Sequence, residues 1–179
     1  MTRSMMHLTT LAGTLFTAHE LTSDDGPALQ ALLEECVDYH ELVLGHPPGP
    51  AEAQAVFYAG PEAGSSPDNK MLLGIALKDS APLVGVLDAF VDYPERGVWY
   101  IGLLLFSPTA RNAGIGREVV ERFALAAAAN GARELQLNVV EQNEPGLRFW
   151  KRCGFVEMRR WRQWLGARES LFIRLRRSL

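Results

Sequence analysis

The stretch from Val98 to Gly116 constrains this chain more than any other. Val98–Phe106 (VWYIGLLLF) is apolar and aromatic, too short for a typical helix, and followed by Pro108, so it reads as a strand. Residues 111–116, Arg-Asn-Ala-Gly-Ile-Gly, come next. From there Ile115, Val119, Phe123 and Ala127 recur four apart, which predicts an amphipathic helix over 114–130. Such a junction points several backbone N–H groups and the positive end of a helix dipole at one spot. The glycines allow close approach of an anion and backbone angles that other residues avoid. Arg111 and Arg117 bracket the loop with positive charge. The chemistry this suits is pyrophosphate binding. The loop is neither a dinucleotide fingerprint, which needs a third glycine, nor a Walker loop, which needs Gly-Lys-Ser/Thr. Taken alone, a tight strand–helix turn with no ligand is an equal reading.

Around this junction the hydrophobic period changes. Residues 1–13 read as a flexible tail, and 14–20 as a first strand of the single domain expected over 14–179. Ser23, Asp24 and Asp25 are N-cap candidates for a helix with Leu29, Leu32, Leu33, Cys36 and Val37 at helical spacing. A second short helix is expected over 51–59, and an exposed loop over 60–69. Residues 71–77 and 82–91 are strand-like, and with Val98–Phe106 they form a meander. After the amphipathic helix, Asn130-Gly131 is a left-handed stop. Glu134–Val140 is a strand with Leu135, Leu137 and Val139 on one face. Pro145 opens a short helix ending at Gly154, and 155–164 with 170–176 make a closing hairpin around Gly166. On the helix, Arg117 with Glu121 and Glu118 with Arg122 are expected as i,i+4 pairs. Strands first and then β-α-β predict an α/β (α+β) fold: one mixed, mostly antiparallel sheet of six to seven strands flanked by about four helices.

Length and composition narrow the class. The 179 residues are 47% hydrophobic and 22% charged, an ordinary globular composition for one domain. The net charge of −3 hides an asymmetry, because residues 1–110 carry 4 Lys/Arg against 14 Asp/Glu and residues 111–179 carry 14 against 7. The basic half begins at the glycine loop. Two cysteines without metal-type spacing read as a reduced, cytoplasmic protein. There is no membrane-length apolar run and no secretory-signal pattern, so no membrane association is expected.

A second constellation lies about thirty residues beyond the loop: Asn143, Gly146, Phe149, Trp150, Gly154 and Phe155. Together with Leu104, Phe106, Pro108 and the loop itself, it resembles the GNAT superfamily of acyl-CoA-dependent N-acetyltransferases. The resemblance is close over about 98–156, and upstream it extends only to the order of elements. It implies acetyl-CoA as co-substrate, no metal, and transfer of an acetyl group to a primary amine by direct attack in a ternary complex. The implied cofactor residues are Arg111, Asn112, Ala113, Gly114, Ile115, Gly116 and Arg117 around the pyrophosphate, with the main chain of Leu104, Leu105 and Phe106 along the pantetheine arm. A fixed N–H there would stabilise the oxyanion formed when an amine attacks a thioester. Asn143 is implied as a cofactor or water contact, and is equally a plain N-cap.

The sequence departs from the family at two positions. Trp150 stands where many members have tyrosine, and an indole does not act as an acid near neutral pH. Trp150 therefore packs against the cofactor or the core. Tyr100 stands where some members carry a glutamate base, which leaves it as an acid or a substrate contact. Glu141 is a candidate base acting through water. Asp88 and Asp92 could attract a cationic amine, with a solvated strand end as the plainer reading for each of the three carboxylates. The acceptor is thus expected to be a small-molecule or peptide amine, cationic by the acidic half of the chain. The alternative is a non-catalytic acyl-CoA-binding sensor or docking module.

Two further clusters have plainer readings. Cys36, Asp38, His40 and His46 have irregular spacing for a metal site and read as a helix face. Arg159, Arg160 and Arg162 with Trp161 and Trp164 alternate between two strand faces, which makes a poor nucleic-acid patch. The aromatic pair could instead mark a homodimer contact.

Overall fold

The computed structural model describes residues 8–60, 67–165 and 168–179. Eight strands form one sheet in the order β1-β2-β3-β4-β5-β6-β8-β7. They are β1 (Thr10–Ala12), β2 (Phe16–Glu20), β3 (Lys70–Leu77), β4 (Leu83–Phe90), β5 (Val98–Phe106), β6 (Glu134–Val140), β7 (Val156–Leu165) and β8 (Arg168–Ser178). The helices are α1 (Gly26–Glu35), α2 (Val37–Val43), α3 (Glu52–Tyr58), α4 (Ile115–Ala129) and α5 (Glu144–Arg152). Among the described residues, only β5 and β6 pair in parallel. A parallel pair needs a long crossover, and α4 supplies it.

The count exceeds the expected six to seven strands and four helices for two reasons. β1 has three residues, too few to show alternation, and it is held by pairing with β2. The chain thus joins the sheet at Thr10, inside the stretch read as a tail. The first predicted helix is interrupted at Cys36, whose backbone (φ −96, ψ 41) leaves the helical region and separates α1 from α2. The predicted hairpin loop at Gly166 and residues 61–66 of the expected exposed loop lie outside the described residues.

Two hydrophobic layers sandwich the sheet. On one face, α4 lays down Ile115, Val119, Phe123 and Ala127 against Leu73, Leu87, Trp99, Leu135 and Leu137. The four-residue spacing dictates this, since i and i+4 share one side of a helix. On the other face, Leu29, Leu32, Leu33 and Cys36 of the first helical segment cover Leu72, Val86 and Leu105. Burying a side chain the size of Phe123 contributes about 1.5–3 kcal/mol.

The expected i,i+4 pairs on α4 give way to longer-range partners. Glu121 makes paired bonds of 2.8 Å to Arg177 of β8. Glu118 accepts from the amides of Thr14 and Leu15 and from the Thr14 hydroxyl, tying the β1–β2 turn to the first turn of α4. Both carboxyl pKa values are lowered, that of Glu121 first by the Arg177 side chain and that of Glu118 by the Thr14 amide. Among the described residues, no helix is long and apolar enough to cross a membrane.

Candidate active site

Strands β5 and β6 separate part-way along. Their pairing runs from Val98↔Glu134 to Ile101↔Leu137 and stops there. Beyond it, β5 continues to Phe106 along β4, and β6 continues to Val140 along β8. A bulge opens the gap: Asp88 of β4 faces Leu103 while Ala89 faces Ile101, so Gly102 is an extra residue. Bulges bend a strand and end its pairing on one side. A side chain at Gly102 would meet Phe90 at 3.0 Å and the Asp88 carboxylate at 3.3 Å, so close packing keeps this position small.

The glycine loop closes one end of the gap. Asn112 (φ 63) and Gly114 (φ 83) both take left-handed backbone angles, which curl the loop onto the helix start. The first helical bond runs from the Glu118 amide to the Gly114 carbonyl. The amides of Ile115, Gly116 and Arg117 therefore have no acceptor within α4. A Cβ on Gly116 would lie 3.3–3.4 Å from the rings of Phe106 and Phe149, so the main chain runs directly beneath two aromatic walls. Leu104 and Phe106 point to the α4–α5 face and Leu105 to the α1 face.

Arg111 is more committed than a free phosphate ligand. Its Nε donates to the Phe106 carbonyl at 2.9 Å, and its guanidinium makes a two-pronged pair with Asp38 of α2. The Arg111 guanidinium holds the Asp38 carboxyl below its ordinary value. This contact pins α2 to the end of β5 and uses the side chain that sequence reading offered to the anion. It also explains the Cys36–His46 cluster. Asp38 serves Arg111, while His40 Nδ1 lies 3.0 Å from the Cys36 carbonyl and its Nε2 lies 3.7 Å from Glu52. His46 contacts the Pro47 carbonyl.

Asn143 and Trp150 resolve toward the fold. The Asn143 side chain accepts from the Gly146 amide at 3.0 Å, which makes it the N-cap of α5. Trp150, counted among the cofactor contacts in the sequence reading, is 8% exposed and packs edge-on between Phe149 and Phe155 at 5.0 and 5.2 Å. It is a core residue, because the helical period carries it to the inner side of α5.

The other face of the gap carries a cavity of about 270 Å³. Asp88, Phe90, Tyr93, Tyr100, Gly102, Asn138 and Arg174 line it. Lys70 Nζ stands 2.8 and 2.9 Å from the two Asp88 oxygens, also donates to the Ala59 carbonyl, and lies over the Phe90 ring. Burial pushes the Asp88 carboxyl up to about 6, against the opposing pull of Lys70. Tyr100 packs edge-on against Tyr93 at 5.6 Å. Arg174 lies opposite Asn138 in the β6–β8 register and donates to its side chain at 2.9 Å.

Tyr100 and Glu141 do not come together. Strand alternation puts Tyr100 on the cavity face and Glu141 on the opposite one. There Glu141 is half exposed and pairs with Arg160 at 3.3 Å. Asp92 accepts from the Gly97 amide at 2.7 Å and shapes the β4–β5 turn. Sequence reading missed Lys70, Asn138 and Arg174. Their one signal is a polar side chain beside apolar strand residues: Lys70 opens the apolar run of β3, Asn138 lies between Leu137 and Val139, and Arg174 between Ile173 and Leu175. A larger cavity of about 470 Å³ lies between α1 and α3, near Gln30 and Phe57, away from the gap.

Parted parallel strands, with an amide-rich helix start at one end of the gap and a buried carboxylate beside it, are an arrangement suited to an acyltransferase. The profile described as the Acetyltransferase (GNAT) family matches residues 29–155, and the chain belongs to that family. An acetyltransferase from Thermus thermophilus superposes with a TM-score of 0.71 at 24% identity, covering 97% of this chain and 100% of that one. A GCN5-related N-acetyltransferase from Brucella melitensis gives 0.79 at 18%, covering 98% and 81%. A spermidine N-acetyltransferase from Vibrio cholerae, in complex with CoA and spermine, gives 0.72 at 13%, covering 93% and 96%. At these identities the likeness shows the fold. No curated protein sequence matches the chain.

Proposed function

We propose that the protein transfers an acetyl group from acetyl-CoA to a primary amine, with both substrates bound at once. The observation that carries this reading is the gap beyond Ile101↔Leu137, open to the glycine loop on one side and to the Asp88 cavity on the other. The residues fit an acyl-CoA. The unspent amides of Ile115, Gly116 and Arg117 would hold its pyrophosphate, and the β5 edge over Leu104–Phe106 would hold the arm by strand-like bonds. When bound, acetyl-CoA supplies an acyl group activated as a thioester. The Vibrio cholerae neighbour of the same fold, in complex with CoA and spermine, supports the use of an acyl-CoA.

The chain's own part is to position the amine and take its proton. Asp88 holds the proton-accepting role in this reading. It borders Gly102, where β5 leaves β6, and its raised carboxyl is still ionised at neutral pH. Tyr100 contacts the acceptor. Glu141 has no part, because it faces away with Arg160.

The test mixes protein, acetyl-CoA and a library of amines, and follows free thiol. Thiol release that depends on one class of amine is expected. Tight CoA binding without thiol release for any amine would favour the binding-only alternative.

A further inference from the structure

The acidic half of the chain suggests a cationic acceptor, but the cavity's own charges say otherwise. The two carboxylates that could attract a polyamine are occupied: Asp88 by Lys70, and Asp92 by the Gly97 amide. Arg174 is the cavity's remaining cation. Its Nε donates to the neutral Asn138 side chain. Among the described residues, no carboxylate stands within ion-pair distance of it. The neighbouring Arg176 and Arg177 behave differently, since Arg176 reaches Glu134 and Arg177 reaches Glu121. The Arg174 guanidinium is held in place by rings, 5.7 Å from the centre of Tyr100 and 5.4 Å from that of Trp161. Trp161 is in turn stacked on Phe172 at 5.5 Å. A planar cation braced by two aromatic rings, with terminal N–H groups to spare, suits a carboxylate, which it can bind through two parallel bonds.

Resting on the acyl-transfer reading above, we propose that the acceptor is an amine that also carries a carboxylate, of the amino-acid class. Arg174 takes the carboxylate. The amine lies toward Asp88 at the strand gap, and the rings of Tyr93 and Tyr100 flank the carbon skeleton. Among the described residues, Arg174 is the one charge of the cavity left without a counter-charge, and a cavity of about 270 Å³ suits one small molecule better than a peptide or an aminoglycoside. Position supports the same arrangement. Asn138, opposite Arg174, is the first β6 residue beyond the last β5–β6 pair, so the cation stands at the mouth of the gap.

The experiment compares amino acids with their decarboxylated amines, and with spermidine, in the thiol-release assay. It also titrates the same amino acids into CoA-loaded protein by calorimetry. Amino acids should exceed the matching amines at least tenfold in kcat/KM. Arg174→Gln should raise KM for the amino acid tenfold or more and abolish the preference, while CoA affinity stays as in wild type. Arg176→Gln, on the same strand face but paired with Glu134, should keep the preference. Equal or better turnover of decarboxylated amines or spermidine overturns the carboxylate assignment and leaves acyl transfer standing. Calorimetric binding of the amino acid that Arg174→Gln abolishes upholds the assignment even where no thiol is released, in which case acyl transfer is the reading that fails. Absence of both binding and turnover for every amino acid overturns it.

Discussion

Lys70 at the start of β3 and Asp88 in the middle of β4 form a buried ion pair, with Nζ 2.8 and 2.9 Å from the two carboxylate oxygens. Two adjacent antiparallel strands bring them together. Burial still outweighs Lys70 and raises the Asp88 carboxyl to about 6. This pair is the charged floor of the cavity beside the strand gap, and under the proposed function it gives both stability and activity a pH dependence near 6.

Activity should climb with pH through a limb near 6, where Asp88 ionises. Asp88→Asn should lower kcat/KM by about 10²-fold or more and remove that limb. Stability moves the other way. Folded Asp88 keeps its proton between about pH 4 and 6, where the unfolded chain has lost it, so its contribution declines as pH rises across that window. Chemical denaturation of wild type and Asp88→Asn at pH 4, 5, 6 and 7 checks this. An unchanged gap across the series would refute the burial argument.

Lys70→Met should leave an unpaired buried carboxylate. The expected loss is about 3–5 kcal/mol at pH 8. It should be smaller at pH 5, where Asp88 escapes the penalty by protonating. The activity limb should move to higher pH, because Lys70 is what pulls the Asp88 carboxyl down. A limb that stays in place would remove Asp88 as the group responsible.

Gly114→Asp tests the anion cradle. The substitution sets a negative charge at the helix start and strains a backbone at φ 83. CoA affinity by calorimetry should fall tenfold or more. Unchanged affinity would show that the loop holds no pyrophosphate.

Phe123→Ala tests the packing of α4. The ring is fully buried and lies 5.7 Å from that of Trp99 on β5. Chemical denaturation should show a loss of about 3–5 kcal/mol. A loss below about 1 kcal/mol would mean that the layer re-forms around the vacated space.

Much of the fold was legible because its elements are long and periodic. The apolar run at 98–106 and the alternation at 134–140 became β5 and β6 with the same bounds. The four-residue spacing of Ile115, Val119, Phe123 and Ala127 became the buried face of α4. β1 was not legible, since three residues carry no period and their partners come from β2. Nor was the break at Cys36, which the helical spacing of Leu33, Cys36 and Val37 runs straight through.

The site divides along the same line. By itself the sequence determined the glycine loop, the strand before it and the helix after it, because backbone angles and helix dipoles are local properties. Only the tertiary structure decided what the side chains do. Asp38 claims Arg111 across 73 positions. Trp150 turns into the core. Lys70, Asp88, Tyr100, Asn138 and Arg174 meet around one cavity from five different strands. The charge of the acidic half says little about that cavity, because pairing in space, and not abundance along the chain, decides which charge is left to meet a ligand.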